Sequence, residues 1–306
     1  MGGKEKMSSS SSSEISPVII KKKHKRKSQL GEIWFRFNKN KIALAGLIIF
    51  VIIVLCMIFA DLIVPKSMVY EQNIAIHFQR PSAAHWFGTD MYGRDIFARI
   101  IYGSRNSLLM GIIAVAVGIT FGGVLGSVSG YYGGKVDAII MRILDTIMCI
   151  PFMLLALAIV AALGSGFINV LIALMVSNVP YYTRTIRSAI LTVVGQDFIE
   201  AAKSCGTPDF YIILKHILPN AIGTVIVQAT MSVGTMIIVA ASMSFLGMGI
   251  QPPTPEWGSM LSEGKEYMIY APYIVIFPGI AIALTALSLN LMGDGLRDAL
   301  DPRLKD

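Results

Sequence analysis

The chain has 306 residues, of which 54% are hydrophobic and only 15% charged. A soluble domain carries about 25% charged residues, so too few are present here to cover a water-facing surface, and an ordinary soluble protein is excluded. Charge is also lopsided: residues 1–41 hold 11 Lys/Arg against 3 Asp/Glu, and the rest holds 15 against 16.

The net charge of +7 is therefore a basic tail on a near-neutral apolar body. Within the tail, residues 8–13 are all serine, and residues 21–27 form a basic block broken only by His24. Low complexity and like charge predict a disordered tail over 1–41, held near anionic lipid rather than bound to nucleic acid.

A bilayer core takes about 20 mainly apolar residues per helix. The first such run is 42–64, interrupted only by Asp61. It is too long for a signal-peptide core and lacks a small-residue cleavage site, so it reads as a retained span. Further runs near 107–131, 138–163, 167–187, 222–246 and 272–293 predict an all-α, polytopic membrane protein with six transmembrane helices. Six spans put both termini on one side. Segments on that side hold 20 Lys/Arg against 6 on the other, which predicts cytoplasmic termini in a multi-pass membrane protein. Without the tail the ratio is 9 to 6, because Arg94, Arg99 and Arg105 cluster before the second span.

Gly118, Gly122, Gly126 and Gly130 recur every four residues, a smooth stripe suited either to packing within the chain or to a subunit interface. Asp95 and Arg99 stand at helical pairing distance, as do Arg142 and Asp145. Pro151 and Pro278 are expected to kink their spans. Asn169, Asn178 and Asn290 suit either a pathway lining or bonds between helices. In the proline-rich stretch 247–272, Trp257 and Tyr267 suit the membrane interface.

Catalytic signals are missing. The sequence contains no HExxH, GxSxG, GxxxxGK[ST] or zinc-type spacing; Cys56, Cys149 and Cys205 form no CxxC pair, and the four histidines are scattered. The chain reads as no enzyme, without a cofactor or metal site of its own. Any ATP driving its work must be bound by another chain.

Residues 197–220 form the one long inward loop, DFIEAAKSCGTPDFYIILKHILPN. Phe198 to Cys205 has helical composition, and Gly206 suits a helix-stopping position. Thr207 as N-cap, Pro208 at the first helical position and Asp209 in the first turn then start a second helix, with Pro219 at its exit. Such a rigid elbow can transmit force from a soluble partner, where a flexible loop would absorb it.

This loop resembles the EAA loop of the permease subunits of ABC importers: Glu200-Ala201-Ala202, three residues, Gly206, nine residues, then His216-Ile217-Leu218-Pro219. The general pattern prefers Ile at position 216, and His there resembles the peptide-importing branch. Also matching are His85-Trp86-Phe87-Gly88-Thr89-Asp90 with Gly93-Arg94-Asp95, Phe245-Leu246-Gly247-Met248-Gly249, Pro252-Pro253-Thr254-Pro255-Glu256-Trp257-Gly258 and Asn290-Leu291-Met292-Gly293-Asp294-Gly295. From about residue 30 onward the chain resembles the second, C-type permease subunit of the dipeptide/oligopeptide/nickel family.

The resemblance implies a type I ABC importer permease fold, with residues 42–104 as first transmembrane helix and outer segment and 105–306 as a permease core of five helices. It implies a di- or oligopeptide importer, or the same machinery serving nickel or another small solute. An ATP-independent secondary carrier is the reading from another class, and it calls for acids deep in the spans. Implied partners are a second homologous permease subunit completing a heterodimeric pore, two cytoplasmic ATP-binding subunits carrying ATP and Mg, and an extracytoplasmic substrate-binding protein. Glu200, Ala201, Ala202, Gly206, Asp209, Leu218 and Pro219 are then the ATPase-coupling residues.

Overall fold

The structure, a computed structural model, describes residues 29–300 together with Gly2. The serine run and the basic block of the tail lie outside the described residues. Among the described residues regular structure is helical, apart from one isolated bridge between Thr89 and Asp95. Helix α1 (Gln29–Lys39) leads into α2 (Lys41–Ile58), whose first amides are capped by the Asn40 side chain at 3.1 Å to Ile42 N and Ala43 N. Of α2, only Ala43 and Gly46 are buried; most of its apolar surface faces outward, as lipid allows.

Then follow α3 (Ile96–Tyr132), α4 (Gly134–Met148), α5 (Phe152–Leu163), α6 (Phe167–Val194), α7 (Asp197–Ser204), α8 (Asp209–Phe245), α9 (Trp257–Gly264) and α10 (Tyr273–Leu300). Four of these, α2, α3, α8 and α10, are long and apolar enough to cross a membrane. The pair α4 and α5 makes a fifth crossing if counted as one bent span. Its break at residues 149–151, with a 79° bend, falls where Pro151 was expected to kink the run 138–163, and splits it into two helices. Pro151 lacks the N–H that would carry the ladder on, and it begins the next helix instead. Pro278, by contrast, sits inside α10 without interrupting it. Helix α6 has 28 residues, about 42 Å at 1.5 Å per residue, so its length would suffice for the sixth crossing that the sequence suggests.

The glycine stripe lies against α6 of the same chain. A Cβ on Gly122 would meet Tyr182 Cβ at 2.7 Å and Thr183 N at 2.9 Å, and one on Gly126 would meet Thr183 O at 2.7 Å. Since backbone blocks the added atoms, the helices must separate to admit them. Gly122→Val is expected to destabilise the protein by about 2–3 kcal/mol, read as a lower unfolding midpoint in detergent. Gly123→Ala, whose Cβ would meet Ile186 at an ordinary 3.6 Å, is expected to be near neutral.

At the end of the bundle away from residues 197–220, charged groups are buried among one another. The Arg94 Nε donates to Asp90 at 2.7 Å, Arg99 Nη1 donates to Asp90 at 2.5 Å, and both guanidinium groups reach Glu263. Asp95 does not pair with Arg99 as its spacing suggested. It caps α3 through Ala98 N and lies 2.8 Å from His85 Nδ1. Trp257 is no interface anchor either: it is 2% exposed and donates its indole N–H to Ile100 O at 3.0 Å. Beside it Glu256 caps α9, accepting from Gly258 N, Ser259 N and the Ser107 hydroxyl. Burial pushes the Glu256 carboxyl up, against the pull of those hydrogen bonds. Asp61, the one charge in the first apolar run, accepts from Tyr102 and Arg105.

Candidate functional site: an elbow joining two cavity walls

The elbow forms because local sequence stops one helix and starts the next within a few residues. Helix α7 is capped by Cys205, and Gly206 follows at φ +73°, the left-handed conformation that glycine adopts without penalty. Gly206 N donates to Lys203 O at 2.9 Å and Thr207 N donates to Ala202 O at 3.2 Å, the paired bonds of a Schellman stop. The next helix is capped one residue later than the sequence suggested, at Pro208 rather than Thr207, because proline's fixed backbone supplies the extended entry. Pro219 does not end that helix. A π-helical stretch, Ile212–Ile217, widens the turn just before it, and the chain runs on as α8. The wider turn accommodates the proline ring and its missing N–H.

Glu200, Ala201, Gly206, Asp209 and Pro219 are exposed, and Ala202 and Leu218 half-buried. Buried Ile199, Ile212 and Ile217 pin the elbow to the bundle from beneath. Phe210, at 72% exposure, and half-exposed Phe198 and Tyr211 leave apolar surface on the elbow facing outward. One tie the sequence reading missed fastens both arms to α3. The Tyr131 hydroxyl donates to Asp209 at 2.6 Å, and Lys203 Nζ lies 4.9 Å from the centre of the same ring. Nearby, Arg187 on α6 donates to Asp137 on α4 at 2.5 Å. Arg184 pairs with Asp145, which therefore does not pair with Arg142 as its spacing suggested. The partner comes from another helix, where same-helix spacing cannot show it.

Arms of the elbow continue into the walls of a cavity of about 480 Å³. Ser177, Asn178 and Tyr181 line it from α6, which precedes the elbow; Gln228, Ser232 and Thr235 line it from α8, which follows. Asn290 lines it from α10, and no lining side chain carries a formal charge. Asn169 is not among them. It donates instead to Leu163 O and Gly164 O, closing the end of α5. Pro180, which the sequence reading overlooked, sits inside α6 at the cavity wall. Among the described residues no cluster of His, Cys, Asp or Glu could hold a metal ion.

Comparison with known proteins agrees with this architecture. Residues 118–306 match the family described as the binding-protein-dependent transport system inner membrane component, and residues 28–81 match the N-terminal transmembrane domain of oligopeptide transport permease C. Over 274 residues, 90% of each chain, the sequence is 48% identical to the dipeptide transport system permease protein DppC of Alkalihalophilus pseudofirmus. It is 45% identical, with the same coverage, to the glutathione transport system permease protein GsiD of Escherichia coli. Among solved structures, an inward-facing conformation of the MetNI methionine ABC transporter is similar at a TM-score of 0.56 and 19% identity, covering 67% of this chain and 98% of that one. This chain therefore belongs to the family of binding-protein-dependent transport system inner membrane components.

Proposed function

We propose that this chain is the permease subunit of an ATP-driven importer of di- or oligopeptides in the cytoplasmic membrane, with both termini cytoplasmic. A second homologous permease completes the pore. Two ATP-binding subunits, carrying ATP and Mg, dock on the elbows, and an extracytoplasmic binding protein delivers the solute. The chain itself performs no chemistry. The observation that carries this reading is continuity: residues 197–220 are the covalent join between α6 and α8, and both of those helices line the cavity. A partner that moves the elbow moves two cavity walls together, without a contact having to form or break between. Relatives named for dipeptide and glutathione transport support a peptide solute. The arginines that weakened the charge asymmetry, Arg94, Arg99 and Arg105, are each paired with Asp90, Glu263 or Asp61, which supports placing them on the outer side.

Proteoliposomes holding both permeases and both ATPases test the reading. Uptake of labelled dipeptide or tripeptide is expected only with internal ATP and external binding protein, and nickel is expected not to be carried. Uptake by this chain alone would overturn the proposal in favour of a secondary carrier. ATP-driven uptake of nickel without peptide would overturn the solute.

A further inference from the structure

The cavity wall contains polar groups that the fold leaves unanswered. On α6, the Ser177 hydroxyl, the Asn178 amide nitrogen and the Tyr182 hydroxyl beside Asn178 are buried, none of them in a hydrogen bond of full geometry among the described residues. Ser177 is 6% exposed and Asn178 3%, and both line the cavity. Unpaired buried donors are costly and uncommon in native proteins, so their retention calls for a partner that arrives from outside the chain. Gln228 on α8 and Asn290 on α10 bring two more carboxamides to the same space. The remaining wall is mostly apolar, with Ile, Met, Leu, Val and Phe side chains and no charge.

We infer that Ser177, Asn178, Gln228 and Asn290 form a subsite that reads the peptide group of the passing solute, rather than its charged termini or its side chains. A carboxamide presents donor and acceptor in one plane, as a peptide group does, so the two pair reciprocally. Neutral pairing is also suited to passage. Charged hydrogen bonds are roughly twice as strong, and in a dry wall they would hold a terminus where it should be released. An apolar surround offers the solute's side chains no hydrogen-bond partner, so their polar identity goes unread there.

The inference rests on the peptide-import reading, and its test separates the two. The assembled transporter is given Ala-Ala-Ala or the same tripeptide with one peptide group replaced by an E-alkene, which keeps the geometry but lacks both the carbonyl acceptor and the N–H donor. Both are supplied at saturation of the binding protein, whose own affinity for each is measured separately. The wild type is expected to import the parent about tenfold faster, the scale of one unanswered hydrogen bond. Asn178→Leu is expected to bring the ratio within about twofold by slowing the parent, and Asn178→Gln to retain most of the preference. Should Asn178→Leu fail to assemble, Gln228→Leu, at a half-buried position, is expected to lower the ratio in the same direction. Equal import of both tripeptides by the wild type, or an unchanged ratio in the leucine variants, would overturn the subsite while leaving peptide import standing. ATP-driven transport with no peptide import at all would overturn both.

Discussion

Gly206→Val is expected to cut ATP-driven solute uptake about tenfold or more while the chain still inserts and assembles, and Gly206→Asn to stay close to the wild type. The reason is conformational rather than steric. Apart from its chain neighbours, no atom lies within 4 Å of where a Cβ at Gly206 would sit, so the added carbon meets open space. Its φ of +73° is the difficulty. Left-handed backbone costs an ordinary L-residue about 1–2 kcal/mol, more for a β-branched one and less for Asn. If only the elbow in this geometry engages its partner, a cost of 1.4 kcal/mol lowers the competent fraction about tenfold. The graded order Gly, Asn, Ala, Val in uptake is the signature to measure, with ATPase activity of the complex recorded alongside. Loss of uptake that followed side-chain volume instead, with Asn worse than Ala, would assign Gly206 to a tight contact with a partner and reject the backbone account.

The elbow was legible because its signals are local. A glycine placed to stop a helix, followed by Thr-Pro-Asp, specifies its own turn with no help from the rest of the molecule; the cap residue differs, Pro208 for Thr207, and Pro219 does not end the second helix as expected. The glycine stripe was legible as a packing face for the same reason, although its partner was not. Only the structure shows that Tyr182, Thr183 and Ile190 of α6 fill it. What escaped was set by residues far apart in the chain. The fourth apolar run was read near 167–187, yet the helix continues to Val194, and Arg184 and Arg187 within it are met by acids of α4. Trp257 looked like an interface residue in a proline-rich stretch. Its N–H is answered by Ile100 O, a partner 157 residues away that no local pattern reveals. The three asparagines split for a similar reason. Asn169 finds carbonyls five and six residues back, whereas Asn178 and Asn290 find a cavity.

Arg99→Met is expected to destabilise the protein by about 3–5 kcal/mol, and adding Glu263→Leu to recover most of that loss. Arg94 and Arg99 are 1% and 2% exposed, and they answer two carboxylates, Asp90 and Glu263, so the buried cluster is neutral as built. Removing one guanidinium leaves two carboxylates on a single cation in a poorly hydrated place, and an uncompensated buried charge costs several kcal/mol. Removing an acid with it restores neutrality, and an apolar pair of similar volume often matches a buried ion pair. The cluster joins residues 90–99 to α9, across 169 residues of chain. Its loss is therefore expected to loosen the end of the bundle away from the elbow, with the elbow itself intact. The unfolding midpoint in detergent measures the first effect, expected to fall on the order of 10 °C in the single variant. Protease susceptibility of the segments before α3 and around α9, compared with that of residues 197–220, measures the second. A double variant no more stable than the single would show that packing of the arginine stem, not charge balance, is what this cluster contributes.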